Sequence, residues 1–300
     1  MTYRGRFAPS PTGALHFGSL VAAVGSWIRA RSQNGAWIVR MEDLDPPREV
    51  PGAAADILET LAAFGMESDE PVVFQSHRES AYAPAFERLD AAGHVFPCWC
   101  SRADLDASGG IHRGACMAAA DPARSPAWRL RTPDTIVEFD DAAFGRQSQN
   151  LCTAVGAFVV RRVEGWYAYQ LAVVVDDAAQ GITEIVRGAD LLDSTPRQIY
   201  LQRLLDLPVP EYLHLPLALD AEGRKLSKQD RARAVDRTDP LPALRAALAF
   251  LGQRVPQAST QAALLSTAAK EFDLAALRAA ARNRACTIPE GLAPIQGDRS

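Results

Sequence analysis

RFAPSPTGALHFGS, Arg6 to Ser19, sets a basic residue, two prolines and a Thr12-Gly13 turn before His16-Phe17-Gly18-Ser19, and an apolar run, Leu20 to Arg31, follows. A strand–turn–helix junction of this kind presents the unpaired N–H groups and positive dipole end of the helix, a ready anion site. His16, beside the helix start, can add a hydrogen bond to a phosphate. Gly18 leaves bare backbone on which a flat ring can lie. The junction reads as a nucleotide pocket; the alternative is a Gly-Pro turn capping a helix, with a structural histidine.

Working outward, Tyr3 to Ala8 and Ala36 to Met41 are expected strands, and Gly18 to Arg31, Gly52 to Phe64 and Glu79 to Ala92 expected helices, with Pro84 near a bend. Strand and helix alternating at this pitch predict a parallel α/β sheet. From Val95 to Val163 the segments shorten and turns crowd together, as in an insertion with extended pieces at Ala127–Arg131, Ile136–Phe139 and Phe158–Val163. The five apolar residues Leu171 to Val175 predict a strand buried on both faces. Ser194-Thr195-Pro196 predicts a helix start, Leu213 to Leu219 a strand, and Leu264 to Ala280 one helix. The expected organisation is a first half of a Rossmann-like core at 1–94, an insertion at 95–166, the second half at 167–235, and a short helical segment at 236–300 whose tail, Pro289 to Ser300, frays.

Three hundred residues allow one large or two modest domains. An apolar fraction of 48%, a charged fraction of 23% and a net charge of −4 argue against a protein that coats nucleic acid by bulk charge. No apolar run approaches the ~20 residues that span a bilayer, and the first ten residues lack the apolar core of an export signal. A cytoplasmic protein without membrane contact is expected.

Lys225-Leu226-Ser227-Lys228-Gln229 follows a Gly turn about two hundred residues after the opening stretch. Two lysines three apart can wrap a triphosphate as mobile point charges. The neighbouring Arg224, Arg231 and Arg233 allow the alternative of a solvated basic loop. No GxxxxGK[ST] occurs, so a P-loop enzyme is excluded.

The five cysteines are odd in number, and three lie close together as Cys98-x-Cys100, then His112 and Cys116. Residues two apart on a strand face one way, so Cys98 and Cys100 can share a metal; His112 and Cys116 would share one face of a helix. Three thiolates and an imidazole form a closed tetrahedral Zn²⁺ set, structural and one per chain; buried free thiols are the alternative. Cys152 and Cys286 are expected in the core.

HFGS and KLSKQ resemble the paired HIGH and KMSKS motifs of class I aminoacyl-tRNA synthetases. With RMEDLD (Arg40 to Asp45) and the stretch Ala168 to Leu192, they resemble the glutamate branch of that class, over roughly residues 3 to 235. Ser19 stands where the HIGH pattern has histidine. The resemblance implies an α/β class I core interrupted by the zinc insertion, with Arg6, Ala8, Ser10, Glu42, Tyr169 and Arg187 around L-glutamate and His16, Gly18, Ser19 and Lys228 around ATP. Chemically, a ligand with two carboxylates and an ammonium asks for two cations and an anion, which Arg6, Arg187 and Glu42 supply. His16 and Lys228, with Lys225 second, would stabilise the reacting phosphoryl group, and Mg²⁺ would arrive with ATP. Asp43, Asp45, Asp176 and Asp177 are candidates for structural or ligand contacts, with the capping of turns and loops the first expectation, and His77 is expected near a ligand's sugar.

Only a short helical segment follows the lysine motif, where glutamyl-tRNA synthetases continue into an anticodon-binding domain. That truncation, with the cysteine pattern, resembles the glutamyl-queuosine branch. It implies tRNA-independent formation of glutamyl-adenylate by a monomer, then transfer to the cyclopentene ring of queuosine at the wobble position of tRNA-Asp, whose anticodon arm is the partner. A minimal glutamyl-tRNA synthetase, a non-catalytic tRNA-binding paralogue and a small-molecule nucleotidylyltransferase are the alternatives.

Overall fold

A computed structural model describes residues 2–106, 109–217 and 234–282; Lys225, Lys228, Cys286 and the tail Pro289 to Ser300 lie outside the described residues. The first half runs β1 (Arg4–Phe7), α1 (Phe17–Ser32), β2 (Ala36–Met41), α2 (Ala53–Ala63), β3 (Val73–Phe74) and α3 (Glu79–Ala91). β1, β2 and β3 form a parallel sheet in that order. Then come β4 (Val95–Cys98), α4 (Arg102–Asp106), β5 (Ala127–Leu130), β6 (Ile136–Asp141), β7 (Gly145–Asn150), α5 (Leu151–Ala154) and β8 (Phe158–Arg161). The second half adds α6 (Tyr169–Ala179), β9 (Glu184–Gly188), α7 (Thr195–Leu204) and β10 (Glu211–Leu215), and three helices follow: α8 (Pro240–Phe250), α9 (Gln261–Lys270) and α10 (Leu274–Arg282).

β9 pairs in parallel with β10, and β10 with β6. This second sheet meets the first at β1 and β9, where the Thr183 N–H donates to the Arg4 carbonyl at 3.0 Å and the Arg4 N–H to Thr183 Oγ1 at 2.9 Å. Each half-sheet is parallel through its core strands, the two abut at β1 and β9, and the strand order reverses at that seam. In open α/β sheets, ligands bind outside the strands' C-terminal ends at such a reversal.

The insertion is less separate than the sequence boundary at 95–166 suggests. Its β4, β5 and β8 form their own antiparallel sheet, whereas the β6–β7 hairpin joins the core through β10.

α1 lies at the centre. Phe17, Leu20, Val21, Ala23, Val24, Ile28 and Ala30 are buried, and the main apolar cluster joins them to Phe7, Trp37 and Val39 on the sheet and to Leu244, Leu248, Leu264 and Leu265 on α8 and α9. Each of the Val, Leu, Ile and Phe side chains contributes roughly 1.5–3 kcal/mol on burial. Gly25 permits this contact: a Cβ there would meet Leu215 Cδ1 at 2.6 Å. The final helices therefore complete the core rather than stand off from it.

Two expectations are corrected. Leu171 to Val175 is part of α6, not a strand: Leu171, Ala172, Val173 and Val174 are buried because the helix is packed on several sides, against α3, α7 and β8, and a short apolar run does not distinguish the two forms by periodicity. Leu264 to Ala280 is two helices. Asp273 ends the continuity: its Oδ1 accepts the Ala275 and Ala276 N–H groups and starts α10, while its backbone is held by Gln253. No described helix is long and apolar enough to cross a membrane.

Candidate active site and metal site

At the strand ends lies a cavity of about 660 Å³. The C-terminal end of β1 and the turn after it supply Arg6, Ala8 and Ser10; the residue after β2 supplies Glu42; α6 supplies Tyr169; β9 supplies Arg187; and the start of α1 supplies His16, Gly18 and Ser19. The described residues expected around glutamate and ATP therefore line a single space. Asp45, Arg48, Glu49, Asp190 and Leu217 line it too.

The two arginines are held differently. Arg6 is buried and donates from Nε to Asp177 Oδ1 at 3.1 Å. The same oxygen accepts from Arg40, whose Nη1 lies at 2.8 Å, and Arg40 Nη2 reaches Glu42 Oε1 at 3.3 Å. Burial raises the Asp177 pKa, but Arg6 and Arg40 outweigh that and hold its carboxyl below the usual range. Burial wins at Glu42: against the pull of Arg40 and Arg6, and helped by Asp177, its pKa is pushed up. Asp176 accepts from Gln75, Arg78 and Tyr82.

Arg187 meets no carboxylate at salt-bridge distance among the described residues. It donates to His214 Nε2 at 3.1 Å, Gln198 Oε1 at 2.8 Å and Thr195 Oγ1 at 2.8 Å, with longer contacts to Tyr169 Oη and the Leu191 carbonyl at 3.4 Å. Burial raises the Tyr169 pKa, so its hydroxyl keeps its proton.

His16 is the N-cap of α1. Its Nδ1 accepts the Ser19 N–H at 3.3 Å, and Ser19 Oγ lies 3.1 Å from Nε2. Serine in the fourth motif position thus supports the imidazole from below. The Lys225–Gln229 motif is outside the described residues, but both flanks are at the cavity: Leu217 lines it, and Ala234 pairs with His16.

The other expected sites divide. Asp43 takes the Ser76 N–H and hydroxyl, the turn-capping role expected of it. Asp176 and Asp177 do not cap turns; α6 runs on past the predicted strand end at Val175 and buries both carboxylates. His77 stacks near Phe74 and does not line the cavity. Cys152 is half-buried on α5 rather than in the core. Sequence reading missed the parts played by Arg40, Asp141, Gln198, Thr195 and His214. The visible signal was a lone histidine inside the apolar strand Glu211–Leu215.

Cys98, Cys100, His112 and Cys116 bring one ligand atom each within 4.8 Å of one another, so the cluster could hold a metal ion. The last pair does not lie on a helix, the condition under which i and i+4 would share a face. His112 is bridged to Gly156, an approach so close that a Cβ on Gly156 would meet the His112 carbonyl at 2.4 Å, and Cys116 follows in irregular chain between two bends. The donor set fits a cation. Burial raises the Cys100 pKa, but the Ala118 and Met117 N–H groups and the neighbouring thiols outweigh it and hold the thiol down, while burial and Arg129 keep His112 neutral, its metal-binding form. The buried His112 Nε2 makes no hydrogen bond among the described residues.

The family model for the catalytic domain of class I tRNA synthetases for glutamate and glutamine matches residues 2–125 and 118–262. A Burkholderia cenocepacia protein named glutamyl-Q tRNA(Asp) synthetase is 59% identical over 262 residues, covering 83% of this chain and 88% of the relative. A Xanthomonas axonopodis pv. citri protein of the same name is 55% identical over 300 residues, covering 99% and 98%. Among solved structures, a glutamate tRNA ligase from Elizabethkingia meningosepticum in complex with its amino acid superposes with a TM-score of 0.74 at 26% identity. That match covers 91% of this chain and only 65% of the longer ligase.

Proposed function

The chain belongs to the class I tRNA synthetases for glutamate and glutamine, and from that premise we propose that it activates L-glutamate with ATP, without tRNA, and transfers it to the cyclopentene ring of queuosine at the wobble position of tRNA-Asp. The observation that carries this reading is the cavity that gathers Arg6, Glu42, Tyr169 and Arg187 beside the start of α1. Two guanidiniums, one carboxylate and a protonated phenol are complementary to an amino acid with two carboxylates and an ammonium. The relatives named glutamyl-Q tRNA(Asp) synthetase, alike over most of the chain, support the acceptor.

The α-carboxylate of glutamate is already ionised, so activation needs no general base. It attacks the α-phosphate of ATP in line; the bond to pyrophosphate breaks, and pyrophosphate leaves with the electron pair. Catalysis is then positioning and charge stabilisation. Arg6 and Arg187 hold carboxylates, Glu42 the ammonium, and Ala8 and Ser10 the near wall. His16 and the α1 N-terminus face the phosphates, Gly18 the adenosine, and Lys228 with Lys225 the leaving group. Mg²⁺ bound to the phosphates would neutralise their charge. In the second step a ring hydroxyl of queuosine attacks the mixed anhydride and AMP leaves. The Cys98, Cys100, His112 and Cys116 set takes structural Zn²⁺, and the enzyme works in the cytoplasm as a monomer.

The test is transfer of labelled glutamate to tRNA-Asp carrying queuosine, to the same tRNA lacking it, and to tRNA-Glu, beside ATP–pyrophosphate exchange without tRNA. Exchange with glutamate and label on the queuosine form alone is the expected result. Label on tRNA-Glu would make this a minimal glutamyl-tRNA synthetase. No exchange with any amino acid would make it a binding paralogue. Metal analysis of the purified protein should give one zinc per chain.

A further inference from the structure

Arg187 is buried at 5% exposure, yet its acceptors are all neutral: an imidazole, an amide, hydroxyls and a carbonyl. Buried guanidiniums ordinarily require an anion, and Arg6 and Arg40 in the same cavity region have one. The exception is built, not accidental. His214 is fully buried and lies between Arg187 and Asp141. Its Nδ1 is 2.6 Å from Asp141 Oδ2, and its Nε2 faces the Arg187 Nε–H. A guanidinium cannot accept and a carboxylate cannot donate, so the proton sits on Nδ1 and the Nε2 lone pair faces Arg187. Asp141 is itself locked, because its Oδ1 accepts the Ala143 and Phe144 N–H groups and its Oδ2 the His214 N–H. Burial and Arg187 oppose protonation of His214; Asp141 and the more distant Asp190 favour it, and burial dominates. The Tyr212 ring packs against both His214 and Arg187.

We propose that His214 is a positioning residue that, oriented by Asp141, fixes the plane of Arg187 without neutralising it, so that the guanidinium keeps its charge for a substrate carboxylate and selects an acid over its amide. The inference rests on the reading that glutamate occupies this cavity. Asp141 works as a remote anion: it sets the tautomer but leaves the charge of Arg187 for the ligand. Gln198 has the same logic, offering an amide oxygen where a carboxylate would be the simpler partner.

Three variants and one spectrum test this, with ATP–pyrophosphate exchange run on glutamate and glutamine. Gln198→Glu places an anion on Arg187 at almost unchanged shape and should cut the glutamate-to-glutamine preference about a hundredfold. Asp141→Asn cannot accept on every side, so the Nε2-protonated tautomer appears and the glutamate KM rises about tenfold, with the ATP KM unmoved. His214→Gln, which can present a neutral acceptor to Arg187, should keep the preference and recover most of the glutamate KM. In wild type, ¹⁵N NMR should show His214 protonated at Nδ1. An unchanged preference in folded Gln198→Glu, or equal changes in both KM values in Asp141→Asn, would overturn the proposal. Wild type inactive with glutamate would instead overturn the functional reading, and an Nε2-protonated His214 would sink the relay by itself, with no variant required.

Discussion

The two walls of the cavity handle buried positive charge in opposite ways. On the wall built from β1, β2 and α6, Arg6 and Arg40 share Asp177, Arg40 also reaches Glu42, and Asp176 closes the set. On the wall built from β9, α7 and β10, Arg187 leans only on neutral groups. The first wall is an ionic network in which each buried guanidinium has a carboxylate partner. The second keeps an uncompensated cation in a buried place, a cost that a carboxylate ligand removes. The first wall thus carries ligand groups inside a charge network of its own, whereas the second holds its cation for the ligand alone.

The sharpest break of this contrast is Asp177→Asn. It strips the shared anion from two buried guanidiniums, and unfolding in urea should show a loss of about 3–5 kcal/mol. Next is Arg187→Lys. A lysine cannot serve three neutral acceptors and a carboxylate at once, so kcat/KM for glutamate in pyrophosphate exchange should fall about a hundredfold, while the urea midpoint moves far less than in Asp177→Asn. Equal stability losses in the two variants would erase the distinction between the walls.

The pH dependence separates two carboxylates of the first wall. Glu42 must be ionised to take an ammonium, and burial raises its pKa. The glutamate KM should therefore rise on acidification, beginning above the ordinary glutamate value of about 4.3 and growing about tenfold per pH unit below the raised pKa. Glu42→Gln should abolish that limb. Asp177 has the opposite sign: its folded pKa is depressed. Its stabilisation is complete above the ordinary aspartate value of about 3.9 and is lost as pH falls through the lower folded value. The smallest effect is expected outside both walls. Ser19→Ala removes the hydroxyl beside His16 Nε2 and should lower kcat a few-fold, by about 0.5–1.5 kcal/mol, with the glutamate KM unchanged.

Much of the cavity was legible because its residues sit in local patterns. Arg6, Ser10, His16 and Gly18 fall within one strand–turn–helix junction, where the direction of the chain dictates what reaches the strand end. The cysteine cluster was legible from spacing, although the geometry under it was not: His112 and Cys116 converge through an irregular bend and a bridge to Gly156, not along a helix. The helix α6 was misread as a strand because β-branched residues filled a segment buried on several sides. Correcting that one element also corrected Asp176 and Asp177, from caps to members of the ionic network.

The chain alone determined the alternation that makes a parallel α/β sheet, the junction that makes an anion site, and the residue types suited to glutamate, ATP and a metal. These follow from local backbone preference and from the donors and charges a side chain carries. Which arginine is neutralised and which is left charged was decided only by the fold. Asp177 lies 171 residues from Arg6 in sequence and 137 from Arg40, and Asp141 lies 73 from His214. No local pattern encodes those meetings. Asp141 and His214 meet because parallel strands distant in the chain lie side by side to satisfy their backbone hydrogen bonds, and Asp177 meets Arg6 and Arg40 because the buried helix α6 carries it to the residues of β1 and β2.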